Sequence, residues 1–426
     1  VPEAPRLPNP ESRTSSLESD LCFQNPSSCH QVGHMKNEIG RDPGDARAFR
    51  RLPNGKYDLD QWNDDYWTRF QNMLRWTHER DIIVQIEVWD RFDHARDFWL
   101  TDPFNPVNNV NYTTQETGLE PRYPDHPSTD KQPFFHTIPG MPRYEPRLDV
   151  VRRYQERFVE KMLSYSLPYG NVLYCMNNET TTPLEWGQYW MRFIRDRARR
   201  LGVSAYVTDM FDDAWNPQRS APLRAAIDHP ELYLFLDVSQ VNSRNFGQAH
   251  WDRFQWIVGQ VSKSPRPLNH TKIYSAGETS FGSGTPKEGV GRFWRNIVGG
   301  AASARFHRPP AGIGLNEIAQ ACIRAARKVE TRVKFWEVTP RMDLLTERQP
   351  NEAYLAAKPG DRHILFFTDG GSVQLDLRGH PQRFQLRWVN ISTGEWGSEE
   401  EVQGGTRVPI VAPSPGPWAA AITRGA

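Results

Sequence analysis

The chain has 426 residues, enough for one large domain and a second, small one. Its 52 Lys and Arg residues nearly balance 51 Asp and Glu residues, so the formal charge of +1 provides no field that would attract nucleic acid or an anionic membrane. The sequence contains no run of 18 apolar residues, which argues against a membrane span. Aromatic residues make up 12% of the chain, and their flat faces suit the apolar faces of sugar rings.

The four cysteines indicate neither a metal site nor a cofactor, because they form no CxxC pair and no zinc-type spacing with histidine. Cys22 and Cys29 would pair in an exported protein, whereas Cys175 and Cys322 lie in apolar or helical stretches and are predicted to be buried thiols. The first residues resemble neither a signal peptide nor a native start. We therefore expect a periplasmic or secreted protein that has lost its leader, or an incomplete amino end; the oligomeric state stays open.

Helical and strand-like patterns alternate along most of the chain, which predicts a parallel sheet with crossover helices. Residues 1–55 are rich in Pro, Ser, Asn and Arg and read as irregular. Helices are predicted at about 60–79, 150–166, 185–201, 219–228, 248–262, 288–298 and 315–334. Strands are predicted at about 82–89, 172–176, 204–208, 233–238, 272–275 and 301–306.

These six strands are two fewer than a closed barrel of eight requires, and residues 32–35 are the one faint further candidate. The predicted fold class is α/β: a (β/α)8 TIM-type barrel with unclear amino-terminal strands, with an open α/β sheet as the alternative. A domain boundary near residue 342 separates this barrel (1–342) from a small antiparallel β-sandwich (343–426), indicated by short strands between Gly-rich turns. Residues 99–147 form a long aperiodic insertion, of the kind that often shapes a binding cleft.

The segment Val172-Leu173-Tyr174-Cys175-Met176-Asn177-Asn178-Glu179 carries the strongest functional signal. An apolar run typical of a buried strand ends there in two amides and a carboxylate. In a barrel of parallel strands, residues at the carboxyl ends of the strands face the substrate. Glu179 is therefore predicted to be a catalytic acid beside the hydroxyl-binding amides of Asn177 and Asn178, which points to cleavage of a glycosidic bond.

Glycosidic cleavage generally requires two carboxyl groups, and Glu278 is the predicted partner of Glu179. It follows the strand at 272–275, beside a glycine, and Tyr274 could hydrogen-bond it if the loop folds back. Asp209 and Asp237 also end strands and are the substitute nucleophiles. The carboxylates at positions 209, 212, 213 and 237 are in addition candidate ligands of sugar hydroxyls or caps of the following helix.

Further substrate-binding residues are predicted at the same rim. The run from Trp89 through Asp90, Arg91 and Asp93 reads as a binding wall or as an internal ion pair. Asn108 and Asn111 of the insertion, and Trp215 after the strand at 204–208, are candidate sugar contacts. Arg305, His307 and Arg308 would favour an anionic group such as a uronate or sulfate, or would hold the carboxylates in place.

With these residues in hand, the sequence resembles a known family. The run Asn54 to Asn63, the strand at 81–89 and Asn177-Asn178-Glu179 are similar to bacterial glycoside hydrolases related to the apiosidase-type enzymes. The stretches at 373–377, 386–394 and 412–418 resemble the small carboxy-terminal β-domain of that family, often labelled collagen-binding. The resemblance implies a retaining mechanism, with the acid/base at the end of the fourth strand (Glu179) and the nucleophile near the end of the seventh (Glu278).

The leading hypothesis is a glycoside hydrolase acting on a plant or algal polysaccharide or oligosaccharide. A second hypothesis is a non-catalytic carbohydrate- or matrix-binding protein on a degenerate barrel. A third is a polysaccharide lyase, in which Tyr274 or His307 abstracts a proton from a uronate and Arg305 neutralises its carboxylate. Two strand-end glutamates without a role weigh against the lyase.

Overall fold

The structure is a computed structural model that describes residues 33–36, 46–274, 283–307 and 315–425; for residues 33–36 it describes the backbone alone. It shows a mixed α/β protein with a separate antiparallel region at the carboxyl end, as the sequence predicted. Helices long and apolar enough to cross a membrane are absent from the described ranges.

The first region is built on parallel strands in two groups. Four strands lie in the order β1-β4-β5-β6, and three lie in the order β7-β8-β9. Leu234 N donates to Val207 O at 3.1 Å and so links the two groups just before β7. The strands are β1 (Gly33–Lys36), β4 (Val84–Asp90), β5 (Val172–Asn178), β6 (Tyr206–Thr208), β7 (Leu236–Asp237), β8 (Leu268–Ile273) and β9 (Ser303–Phe306).

Between β1 and β4 lies an antiparallel hairpin of β2 (Phe49–Arg51) and β3 (Tyr57–Trp62). The expectation that residues 1–55 are irregular is thus wrong at two places, since β1 and β2 both fall within them. β1 pairs in parallel with β4, starting at the register Gly33 to Val84. The faint strand signal at 32–35 therefore marks a seventh parallel strand.

Helices connect the parallel strands, and each buries one apolar face. In α5, for example, Trp186, Trp190 and Ile194 are buried at helical spacing. The helices are α1 (Asp64–His78), α2 (Arg96–Trp99), α3 (Thr114–Thr117), α4 (Asp149–Ser166), α5 (Leu184–Arg200), α6 (Ala221–Asp228), α7 (Gly247–Val261), α8 (Pro286–Val298) and α9 (Glu317–Arg332). Asn63 caps the first long helix, because its side chain accepts a hydrogen bond from Asp65 N.

The carboxy-terminal region holds two antiparallel sheets, one of six strands (β10-β12-β13-β18-β15-β16) and one of three (β11-β14-β17). Side chains from both sheets, including Leu365, Leu375 and Ile410, share one hydrophobic cluster. The strands are β10 (Thr339–Pro340), β11 (Leu345–Thr346), β12 (Ala353–Lys358), β13 (Arg362–Phe367), β14 (Ser372–Asp376), β15 (Arg383–Asn390), β16 (Glu395–Gln403), β17 (Arg407–Val411) and β18 (Trp418–Arg424).

A second hydrophobic cluster joins the two regions. Trp294 of α8 stacks on Phe366 of β13 with ring centroids 5.8 Å apart and an interplanar angle of 23°. Ala325 of α9 belongs to the same buried cluster as Val389 of β15 and Ala421 of β18. The six-stranded sheet therefore packs on α8 and α9 through continuous apolar contact.

Candidate functional site

The site centres on Glu179, the residue directly after β5. Glu179 has φ +47°, a left-handed conformation that residues other than glycine rarely adopt. Thr180 N next to it donates to Met210 O at 2.7 Å, which ties the end of β5 to the segment after β6. The Glu179 side chain is 20% exposed, so it is accessible from solvent yet largely enclosed.

Lys272 and Tyr274, at the carboxyl end of β8, hold the Glu179 carboxylate. Lys272 Nζ lies 2.8 Å from Glu179 Oε1, and the Tyr274 hydroxyl donates to the same oxygen at 3.1 Å. Lys272 Nζ also donates to the side-chain oxygen of Asn178. Lys272 is only 1% exposed, so its charge is buried and acts directly on Glu179.

The pKa values of these partners reflect that arrangement. Burial by itself lowers the pKa of Lys272, but the carboxylates of Glu179 and Glu87 outweigh it and hold that pKa well above its usual value. Burial raises the pKa of the Tyr274 hydroxyl. At neutral pH both groups therefore act as hydrogen-bond donors towards Glu179.

The next strand end brings His307 and Arg305 to the same side. The His307 ring lies 4.8 Å from the Tyr274 ring, centroid to centroid, at 34°. Arg305 donates a hydrogen bond to the carbonyl oxygen of Thr271 at 3.0 Å. Arg305 thus supports the chain that carries Lys272 and Tyr274, and its predicted roles, binding an anionic group or holding a carboxylate, stay predictions.

Asp90 and Asn178 link the ends of β4 and β5. Asn178 Nδ2 donates to Asp90 Oδ2 at 3.0 Å, and the backbone N–H of Phe92 donates to Asp90 Oδ1 at 2.9 Å. Arg91 forms an ion pair with Asp130 of the insertion at 3.1 Å and also donates to Thr181 and to the carbonyl of Pro127. Asp90 therefore links the ends of β4 and β5, and Arg91 anchors the insertion beside them.

Asn177 and Asp209 form a buried pair behind Glu179. Asn177 Nδ2 donates to both Asp209 oxygens at 3.1 and 3.0 Å, and Asn177 Oδ1 accepts from Trp186 Nε1. Asp209 is 3% exposed, and burial raises its pKa to about 7 despite these hydrogen bonds. This pair fastens β5 to β6 and α5, and its substrate-binding role stays a prediction without support from these contacts.

Asp237 is likewise enclosed. Its carboxylate accepts hydrogen bonds from Gln85, Ser239 and Thr271, and it is 1% exposed. A nucleophile must reach a substrate atom, and a carboxylate with this many internal donors is committed to the fold. The contacts therefore argue against Asp237 as the substitute nucleophile.

The remaining candidates are two buried residues, Trp89 and Asp93, and two amides of the insertion, Asn108 and Asn111. Trp89 is fully buried among aromatic rings, with Trp190 at 5.3 Å, and Asp93 is 5% exposed. Asn108 donates to the carbonyls of Leu100 and Asp102, and the Asn111 oxygen accepts from Leu59 N while its amide donates to Asp58 and Asp60. These amides stabilise the insertion, and their role as sugar ligands stays a prediction.

Glu278 and Arg308 lie outside the described residues, so their predicted roles stay predictions. In the ranges 46–274, 283–307 and 315–425, no group of three or more His, Cys, Asp or Glu side chains is arranged to hold a metal ion. Cys175 and Cys322 are buried thiols, as predicted, and burial raises the pKa of each.

Sequence reasoning missed Lys272. Its signal was a lysine inside the stretch Leu268–Ile273, which is buried throughout. A charged side chain in a buried strand normally needs a partner of opposite charge. That rule would have pointed to a carboxylate at the end of a neighbouring strand.

Comparison with known proteins places this geometry in a wider context. Residues 41–210 match a family model described as a domain of unknown function, DUF6298, which covers less than half of the chain. No curated protein is significantly similar in sequence.

Among solved structures, a glycoside hydrolase family 5 protein from Bacteroides vulgatus superimposes with a TM-score of 0.55 at 10% identity, covering 95% of this chain and 85% of the other. A structure described as a glycoside hydrolase gives a TM-score of 0.56 at 9% identity, covering 95% and 88%. At these identities the similarity shows a shared fold.

Proposed function

We propose that this protein is a glycoside hydrolase built on a (β/α)8-type barrel, with Glu179 as its acid/base. The observation that carries the proposal is the placement of Glu179. It follows a buried parallel strand, remains accessible, and receives two hydrogen bonds on Oε1 from buried or largely buried donors. The glycoside hydrolases of similar fold support this assignment.

The chemistry follows from the two-carboxylate scheme. Glu179 protonates the leaving oxygen while Glu278 attacks the anomeric carbon, and water that Glu179 deprotonates then opens the glycosyl-enzyme, with retention of configuration. The Lys272 ammonium favours the ionised form of Glu179, which is the form required to deprotonate water. An ionised carboxylate would also suit a nucleophile, so a separate test must assign the two roles to Glu179 and Glu278.

The substrate proposed from the sequence is a plant or algal polysaccharide or oligosaccharide, met in the periplasm or outside the cell. An anionic substrate was predicted from Arg305, His307 and Arg308. Arg305 donates to a backbone carbonyl and Arg308 is outside the described residues, so the described contacts give that part of the prediction little support.

The experiment is release of reducing sugar from a panel of neutral and uronate polysaccharides by the wild type and by Glu179→Gln and Glu278→Gln. The matched control is Glu231→Gln, an exposed carboxylate before β7, at the opposite ends of the strands. We expect each of the first two variants to lose at least 100-fold in kcat/KM, and the control to stay within twofold.

Aryl glycosides with good leaving groups show which of the two residues is the acid/base and which is the nucleophile. An acid/base variant keeps its first step on such substrates, because their leaving groups need no proton, whereas a nucleophile variant loses that step. With azide, the first gives a glycosyl azide of retained configuration, and any azide product of the second is inverted. Full activity of Glu179→Gln would contradict the proposal. An unsaturated, ultraviolet-absorbing product would indicate the lyase, and retention of glycans without cleavage would indicate the binding protein.

A further inference from the structure

Asp212 lies beside Glu179 on a neighbouring strand end. Thr180 and Phe211 form a parallel bridge, and Asp212 N donates to Thr180 O at 3.1 Å. Glu179 precedes Thr180 and Asp212 follows Phe211. The bridge therefore holds Glu179 and Asp212 on adjacent segments at the ends of β5 and β6.

Glu179 is close enough to Asp212 to change its pKa. Burial raises the pKa of the half-buried Asp212 carboxyl, and Glu179 and Asp213 raise it further, whereas Arg244 and His126 lower it. Within the described ranges, no side chain or backbone N–H donates a hydrogen bond to the Asp212 carboxylate. The half-buried Asp212 carboxylate still reaches solvent, so it can accept a hydrogen bond from a ligand hydroxyl in place of water.

Arg244 lies near enough to Asp212 to lower its pKa, and its guanidinium lies over the Trp215 ring. Its guanidinium carbon lies 5.5 Å from the centroid of the Trp215 ring, and Arg244 has φ +58°, a second left-handed non-glycine residue at this rim. Trp215 O accepts a hydrogen bond from Asn245 Nδ2 at 2.8 Å, which joins the two rim loops. Arg244 is exposed, and in the described part of the chain it forms no ion pair with Asp212.

We propose that Asp212 and Arg244, with Trp215 as the support of Arg244, form a sugar-binding subsite next to Glu179. The proposal rests on the proposed function and extends it to the class of substrate. A guanidinium presents donors to two adjacent oxygens and a carboxylate accepts from a hydroxyl, so together they fit neighbouring hydroxyls on one sugar ring.

The charges at this point favour a neutral sugar. Asp212 and Glu179 both carry carboxylates here, Lys272 is buried against Glu179, and the Arg244 cation already acts on Asp212, whose pKa it lowers. A uronate carboxylate in this subsite would meet two like charges and would compete with Asp212 for Arg244, which costs binding energy. The subsite is therefore assigned to a neutral hexose or pentose unit.

The test compares Asp212→Asn with Asp213→Asn, two adjacent aspartates with different surroundings. Asp213 is exposed and accepts from the Ser220 hydroxyl at 2.5 Å, a bond that the asparagine oxygen can keep. Substrates are mixed-linkage glucan, xylan, galactomannan and polygalacturonate. On the best neutral polymer we expect kcat/KM to fall about 10- to 100-fold in Asp212→Asn, mainly through KM, and to change less than twofold in Asp213→Asn.

Each outcome decides a different point. Equal kinetics of the two variants, with an active wild type, would overturn the subsite and leave the hydrolase standing. Faster cleavage of polygalacturonate than of the neutral polymers would overturn the neutral assignment. If the wild type cleaves nothing, the hydrolase fails, and retention on the same polymers in affinity gels decides the subsite: a loss confined to Asp212→Asn supports it, and equal or absent retention overturns it.

Discussion

Glu179 combines a strained backbone with a fixed side chain. A left-handed conformation costs a residue other than glycine about 1–3 kcal/mol, and it persists only where surrounding contacts enforce it. Here the enforcing contacts are the Thr180 N–H bond to Met210 O and the two donors on Glu179 Oε1. The Glu179 side chain is thus fixed by its neighbours yet stays 20% exposed, which suits a group that must meet a substrate.

The first prediction at the residue scale concerns Lys272→Met, which removes the buried ammonium but keeps most of the side-chain volume. Hydrogen bonds to charged groups contribute about 1.5–3 kcal/mol, so we expect kcat to fall about 10- to 100-fold. Tyr274→Phe removes a single neutral donor and should lose less. The readouts are kcat, KM and near-ultraviolet circular dichroism.

Lys263→Met, at an exposed position after α7, serves as the control for loss of a positive charge. Should Lys272→Met keep the kcat of the wild type while folding normally, the ammonium would not position Glu179. A variant that fails to fold is distinguished by its dichroism spectrum, and Tyr274→Phe then carries the test alone.

The sequence predicted Glu179 because its signal is local: an apolar run that ends in Asn-Asn-Glu. Asp212 was already a candidate sugar ligand, but its position beside Glu179 and the ion pair of Lys272 with Glu179 emerged only with the fold, since the partners lie far apart in sequence. The same holds for Asp237, whose three donors come from β4, β8 and the turn after β7. A strand-end carboxylate looks alike in sequence whether it faces substrate or the interior.

At the scale of elements, the close approach of α5 to β6 sets the back of the site. A Cβ atom added to Gly187 would lie 2.2 Å from Asp209 Oδ2, so the helix reaches this position only because residue 187 is glycine. Asp209 in turn receives the Asn177 amide. The spacing between helix and strand thus fixes the residues directly before Glu179.

A prediction follows for Gly187→Ala. Alanine normally stabilises a helix interior by about 0.5–1 kcal/mol relative to glycine, but here the added methyl group overpacks a buried carboxylate and should cost about 1–3 kcal/mol. Gly259→Ala in α7 is the matched control, because a Cβ there meets nothing within 4 Å. Urea unfolding should show a lower midpoint for the first variant and an equal or higher one for the second; the reverse order would refute the packing argument.

The long helices were predicted to within a few residues because their apolar period persists over three or more turns. The short strands were predicted less well. β8 begins at Leu268, four residues before the predicted strand, because polar Asn269, His270 and Thr271 point into an interior that hydrogen-bonds them. β16 was missed, since Glu399, Glu400 and Glu401 lie on an exposed edge strand and form ion pairs or hydrogen bonds with the neighbouring strand β15.

At the scale of the whole molecule, the predicted boundary at residue 342 divides the sequence pattern but not the hydrophobic contacts. Cluster members from α8 and α9 are buried against β12, β13, β15 and β18, with Trp294 and Phe366 stacked at the centre. Removing residues 343–426 would expose this apolar face of α8 and α9. Exposed apolar surface of that extent promotes aggregation in a soluble protein.

We therefore expect the two regions to unfold together, in a single transition. A chain ending at residue 342 should be insoluble or lack near-ultraviolet dichroism, and Phe366→Ala in the full chain should cost about 3–5 kcal/mol while keeping one transition. Val411→Ala, at an exposed position on the far three-stranded sheet, is the control and should change stability little. Two results would contradict this prediction: a soluble fragment 1–342 with native dichroism, or two resolved transitions in the full chain. Either would show that the carboxy-terminal sheets are an independent accessory. They would then not belong to the core that supports the strands carrying Glu179 and Lys272.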